Sequence, residues 1–176
     1  DFTSQEISGT RLALLNENAD KMSSISNDIS EAGLYLAANE TIIDIFSGPV
    51  IDDFDAVTEQ RELRNQLYVL AVLKPDIHSL EIYTDRYLGY PIIIDNIMPI
   101  AELEKLSWFT IFDNMDSGWV PWEENGQRMV SYLHRLVDYR GMKVGYVKVN
   151  ILEEKFFADM TVEEGSEPGS ELMMLI

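Results

Sequence analysis

Between Ile7 and Phe46 apolar residues recur at helical spacing. Leu15, Met22, Ile25, Ile29, Ala32, Leu36 and Ile43 are separated by sevens, threes and fours, with polar residues filling the other positions. That period gathers them into one stripe and predicts a long amphipathic helix, with a break expected near Gly33. Ser47, Gly48 and Pro49 end it, because Gly suits the cap geometry and Pro forbids continuation. Roughly 40 residues at about 1.5 Å each would span on the order of 60 Å, more than a compact domain needs. Such a helix projects beyond its domain or packs on a copy of itself. The stripe reads as core contact, or as core contact plus a weak dimer seam. Asn18 and Asn39 within it, and Ala and Met in place of steady Leu, argue against a tight coiled coil.

A second helix is predicted from Asp53 or Asp55 to Leu73, with Leu63, Leu67, Leu70 and Leu73 on one side and Lys74–Pro75–Asp76 as its stop. Ile77 to Thr84 alternates partially and predicts a strand; Asp85 to Gly89 reads as a loop, and Tyr90 to Asp95 as a short extended run. Pro99 to Phe112 reads as a helix with Pro near its first turn. Asp113 to Gln127 is polar and interrupted by Gly and Pro, so a loop is expected there, carrying two tryptophans. Arg128 to Ile151 then shows two apolar-alternating runs joined at Gly141, a β-hairpin, and Leu152 to Met160 a closing helix.

The predicted order is helix, helix, strand, strand, helix, loop, strand, strand, helix. Hairpin-connected strands give an antiparallel sheet, and the long helix must cover one of its faces. The expected fold is therefore α+β, a PAS-like sheet under a long N-terminal amphipathic helix. No βαβ alternation or Gly-rich phosphate loop points to a nucleotide fold. Three stretches are expected along the chain: a stalk helix over 1–50, the sheet module over 51–160, and a linker over 161–176. In that linker the Gly/Pro/Glu run Val162 to Glu171 gives way to an apolar Leu172 to Ile176 that reads as a strand just begun. Both ends of the sequence read as cut points in a longer polypeptide.

Charge and chemistry narrow the function. With 31 acidic against 13 basic residues the net charge is −18, which repels nucleic-acid phosphates and anionic lipid heads. There is no cysteine, so disulfides and thiolate metal sites are excluded. His78 and His134 are the only histidines and sit in no metal-ligand spacing. No serine stands in a GxSxG turn, and the pairs Asp52/Asp53 and Glu123/Glu124 are neighbours in an acid-rich chain, which gives no general-acid geometry. Catalysis has no recognisable constellation, and no cofactor or metal is expected.

Binding has more behind it. Trp108, Trp119 and Trp122 cluster in sequence; Tyr83, Arg86 and Tyr87 lie at the exit of the first strand; Tyr132, Arg135 and Asp138 run down the hairpin. Aromatic rings beside a few polar groups are what a small-molecule pocket uses, and an arginine can grip a carboxylate with two parallel bonds. The candidate ligand-binding residues are thus Tyr83, Arg86, Trp108, Trp119, Trp122, Tyr132, Arg135 and Asp138. The bland alternative for each is a core plug or an ordinary ion pair.

Asn18 to Phe46, Lys74 to Thr84 with its "KPDIHSLEIYT", "LSWFTIF" before the tryptophans, and "MVSYLHRLVDYRGMKVGYVKVNILEEKF" from Met129 to Phe156 together resemble the extracellular Cache-type sensor regions of YesM-like sensor histidine kinases. The resemblance covers about 140 residues in consistent order. It implies an ectodomain at the outer face of a bacterial membrane that senses a small solute or a solute-binding protein, signals by rearranging stalk helices and works as a homodimer. A chemoreceptor ectodomain, or a dimerisation or protein-binding module with no small ligand, are the alternatives it leaves. The resemblance carries no ligand motif that transfers residue by residue.

Overall fold

The computed structural model describes residues 23–49, 52–86 and 96–157. The expected helical residues before 23, the loop residues 87–89, the extended run Tyr90 to Asp95, and everything after Phe157 lie outside them, as does Tyr87. Helix α1 occupies residues 23–37 and is followed by α2, Glu40–Ser47. The expected break is therefore real but falls at Ala38–Asn39, not at Gly33. Asn39 causes it: its side chain accepts the Ile42 N–H as an N-cap, which satisfies a donor that would otherwise be orphaned. Asn39 is thus a cap, which also explains why a polar residue interrupts the apolar stripe.

Helix α3, Asp53–Leu73, starts under Asp52, whose carboxylate accepts from the N–H groups of Phe54 and Asp55. Leu63, Leu67 and Leu70 face the core as expected, whereas Leu73 is 67% exposed. Lys74 then donates to Asp28 at 2.8 Å and ties the end of α3 to α1.

Five strands follow: β1 Ser79–Tyr83, β2 Ile97–Met98, β3 Ser117–Glu124, β4 Gln127–Val137 and β5 Lys143–Leu152. They form one sheet in the order β2-β1-β5-β4-β3. All neighbours pair antiparallel except β1 and β2, which are parallel, so the sheet is mixed where a purely antiparallel one was expected. Between β2 and β3 the expected Pro99–Phe112 helix is broken into α4, Ile100–Glu104, and a 3₁₀ turn, Phe109–Phe112, with Pro99 as the N-cap of α4. A short α5, Glu153–Phe156, continues directly from β5.

The stretch expected to be a loop around the tryptophans is a strand. Asn125 and Gly126 have φ of 51° and 77°, the mirror-image turn that joins two strands with two residues. The Asn-Gly pair marks it in the sequence, and Glu124 pairs with Gln127 across it. Pro121 interrupts the pattern but is tolerated because β3 is the edge of the sheet.

The sheet separates two cores. On one face Leu80, Ile82, Tyr132, Leu136, Val147, Val149 and Ile151 pack against α1, α2 and α3. On the other, Tyr83, Val120, Leu133 and Tyr146 pack against Ile100, Leu103, Phe109 and Phe112. Many of these side chains are fully buried, and each contributes about 1.5–3 kcal/mol relative to exposure. Helix α1 approaches the first face through Gly33, where an added Cβ would lie 2.6 Å from the Tyr132 ring. Glycine stands there because the helix backbone itself sits against an aromatic ring.

Candidate functional site

The second face of the sheet carries polar residues where a core would be expected to be apolar. Strand period places Ser79 and Glu81 of β1, Lys148 and Asn150 of β5, and Ser131 and Leu133 of β4 on it, and register aligns them into rows. Ser79, Asn150 and Ser131 form one row with Val120, and Glu81, Lys148 and Leu133 the next with Gly118.

The first row is one chain of hydrogen bonds across four strands. Trp122 Nε1 donates to Ser131 Oγ, Ser131 Oγ donates to Asn150 Oδ1, and Asn150 Nδ2 donates to Ser79 Oγ at 2.8 Å. Ser131 and Asn150 are buried, so these bonds satisfy groups that would otherwise be costly to desolvate.

The second row is an ion pair. Lys148 Nζ donates to Glu81 Oε2 at 2.9 Å, with the lysine side chain 2% exposed and the glutamate 22%. The ammonium lies 4.0 Å from the centroid of the Trp122 ring and 6.0 Å from that of Trp108. Aromatic faces replace part of the hydration the ammonium has lost. Tyr83 also donates to Glu81 Oε2, at 3.2 Å. Burial pushes the Tyr83 phenol above its ordinary value, and the neighbouring charge of Glu81 adds to the effect, so it stays a protonated donor. Met98, Leu106, Trp108 and Trp122 border this floor, each partly exposed.

Of the eight candidate residues, the structure therefore gathers three here: Tyr83, Trp108 and Trp122. Trp108 sits in the turn before the 3₁₀ segment, where a helix was expected. Trp119 and Trp122 are three apart on a strand and point to opposite faces. Trp119 stacks on Tyr132 at 5.1 Å and on Phe156 at 6.0 Å, on the helix side. Tyr132 and Arg135 part in the same way. Arg135 belongs to the polar face but at its far end, where it donates to the Asp113 carbonyl and pairs with Asp116. Arg86 bonds the Pro49 carbonyl at 2.7 Å and pairs with Glu59 of α3 at 3.2 Å, and so straps the exit of β1 to the helices. Asp138 anchors the β4–β5 turn, accepting from the N–H groups of Arg140 and Met142 and from the Arg140 guanidinium.

Sequence reasoning missed Ser79, Glu81, Ser131, Lys148 and Asn150. Their signal was present in β5, where Tyr146, Lys148 and Asn150 alternate with Val147, Val149 and Ile151. Among the described residues no group of three or more metal-ligating side chains forms, and no helix is long and apolar enough to cross a membrane.

A mixed five-stranded sheet with helices on one face and short helical turns over the other is the expected PAS-like α+β arrangement. The chain is similar to the sensor domain of DcuS from E. coli, with a TM-score of 0.57, over 80% of this chain and 98% of that one. The two share 9% of residues, so the likeness is one of fold. No protein-family model matches the chain, and no curated protein matches it.

Proposed function

We propose that this chain is the extracellular ligand-sensing domain of a bacterial two-component sensor kinase of the YesM-like kind, non-catalytic in itself. The observation that carries the reading is the pair of polar rows formed by Ser79, Asn150 and Ser131 and by Glu81 and Lys148, with Ser131, Lys148 and Asn150 buried, beside Trp108 and Trp122. A core has little use for this much polar chemistry, whereas a few polar groups set among aromatic rings are what a small-molecule site uses. The partner is a small solute, free or carried by a solute-binding protein, and the receptor acts as a homodimer at the outer face of the membrane.

The signal path follows from the strands. Ser131 and Leu133 flank Tyr132, and Lys148 and Asn150 flank Val149, and both Tyr132 and Val149 face Gly33 of α1. A solute that favours one strand arrangement shifts a two-state packing of α1 on the sheet by its differential affinity.

The test is autokinase activity of the full-length receptor in lipid vesicles, with sugars, organic acids and amino acids added on the sensor side. A change of activity with one solute class, lost in Trp122→Ala while basal activity persists, is the expected result. A receptor whose gene encodes no kinase after this domain, or whose activity ignores every class, overturns the reading.

A further inference from the structure

We infer that the solute this floor takes is neutral and hydroxyl-rich, of the saccharide class, held by a hydroxyl on Glu81 and by a ring face on Trp108 and Trp122. The inference rests on the sensing reading above and adds the ligand's chemistry to it. It follows from which half of the Glu81–Lys148 pair can be reached. Lys148 is 2% exposed and lies over the Trp122 ring with its hydrogen bond on Glu81, so the ammonium is shielded from an incoming anion. Glu81 is the accessible partner. Both described hydrogen bonds to it, from Lys148 and from Tyr83, end on Oε2, which leaves Oε1 without a donor among the described residues.

The floor therefore presents an acceptor oxygen and partly exposed indoles. An organic anion would meet that oxygen as a like charge, in a chain whose net charge of −18 already repels it. An organic cation bonded to Oε1 would stand beside the Lys148 ammonium, which already compensates the carboxylate. A neutral hydroxyl donates to Oε1 at no charge cost, and the apolar C–H face of a sugar ring covers an indole. The Ser131, Asn150 and Ser79 side chains are linked to one another by hydrogen bonds and hold the floor in place.

The experiment measures thermal shift and calorimetric binding with three panels: glucose, galactose, xylose, maltose and cellobiose; acetate, succinate and citrate; choline, ethanolamine and lysine. The expected result is a shift with a member of the first panel only. Binding should weaken at least tenfold in the double variant Glu81→Leu/Lys148→Met, which removes the pair without stranding a charge. It should weaken at least fivefold in Trp108→Ala, which leaves the pair intact. A shift with an anion or an amine alone overturns the saccharide assignment and leaves the sensing reading standing. No shift with any panel counts against both. Undiminished saccharide binding by a folded double variant removes this face as the site.

Discussion

Gly33 of α1 lies against the ring of Tyr132, so close that a single added methyl would come within 2.6 Å of it. The contact joins the helix to the strand whose neighbouring residues, Ser131 and Leu133, lie on the opposite face, where Ser131 is part of the polar floor. Gly33→Ala should destabilise the domain by about 1–3 kcal/mol, the usual cost of overpacking a filled site. Tyr132→Leu in the same background should recover part of the loss, because the ring is what the methyl strikes. Chemical denaturation of the four variants in a double-mutant cycle measures it; strict additivity would mean that the helix does not seat on this ring.

Ser131 is the central link of the chain from Trp122 to Ser79. Ser131→Ala strands the Trp122 N–H and one acceptor of Asn150, and should cost about 1–3 kcal/mol. The emission of Trp122 should shift as well, since its indole loses a partner. Ser131→Thr should retain more of the stability than Ser131→Ala, provided the extra methyl fits beside Val120.

Removing one half of the Glu81–Lys148 pair should hurt more than removing both. Lys148→Met leaves a partly buried carboxylate uncompensated and should cost on the order of 2–3 kcal/mol, less than a fully buried pair because Glu81 keeps some exposure. Adding Glu81→Leu should return most of that stability. Urea midpoints of the single and double variants decide it; a double variant weaker than Lys148→Met alone would show that the pair is net stabilising.

Asp138 gives the domain an acid limit. The Met142 N–H holds its carboxyl below the usual carboxylate range, burial opposes this, and the Arg140 side chain and N–H add to the lowering. A group whose folded value is depressed contributes stability above its unfolded value, about 4, and loses it as pH falls toward the folded value. The melting temperature should therefore fall below about pH 4, and Asp138→Asn should flatten that limb while lowering stability at neutral pH.

The sequence made the frame legible where periods are long and clean. Helix α3, the β4–β5 hairpin and the layered α+β order follow from the Leu spacing between Leu63 and Leu70 and from the alternation after Arg128. It misled where one residue can serve two purposes. Gly33 reads as a helix break but is a close-approach position, and Asn39 reads as a polar flaw in a seam but is a cap. Gly118 and Pro121 read as loop residues, yet the edge position tolerates the proline, and a Cβ at Gly118 would strike Phe112. Of the candidate site, aromatic residues were visible because they are scarce. Lys148 and Asn150 were not, because an alternating strand reads as solvated on its polar side. Only the central place of β5, with short helical turns laid over that side, turns those residues inward.

Pro121 has a consequence for how copies of this domain can meet. It stands midway along β3, the outer strand, and has no N–H to offer a further strand. At the opposite edge β2 is two residues long, too short to template a new ladder. Among the described residues neither edge of the sheet offers a long ladder to a further strand, so edge-to-edge pairing of two copies is disfavoured.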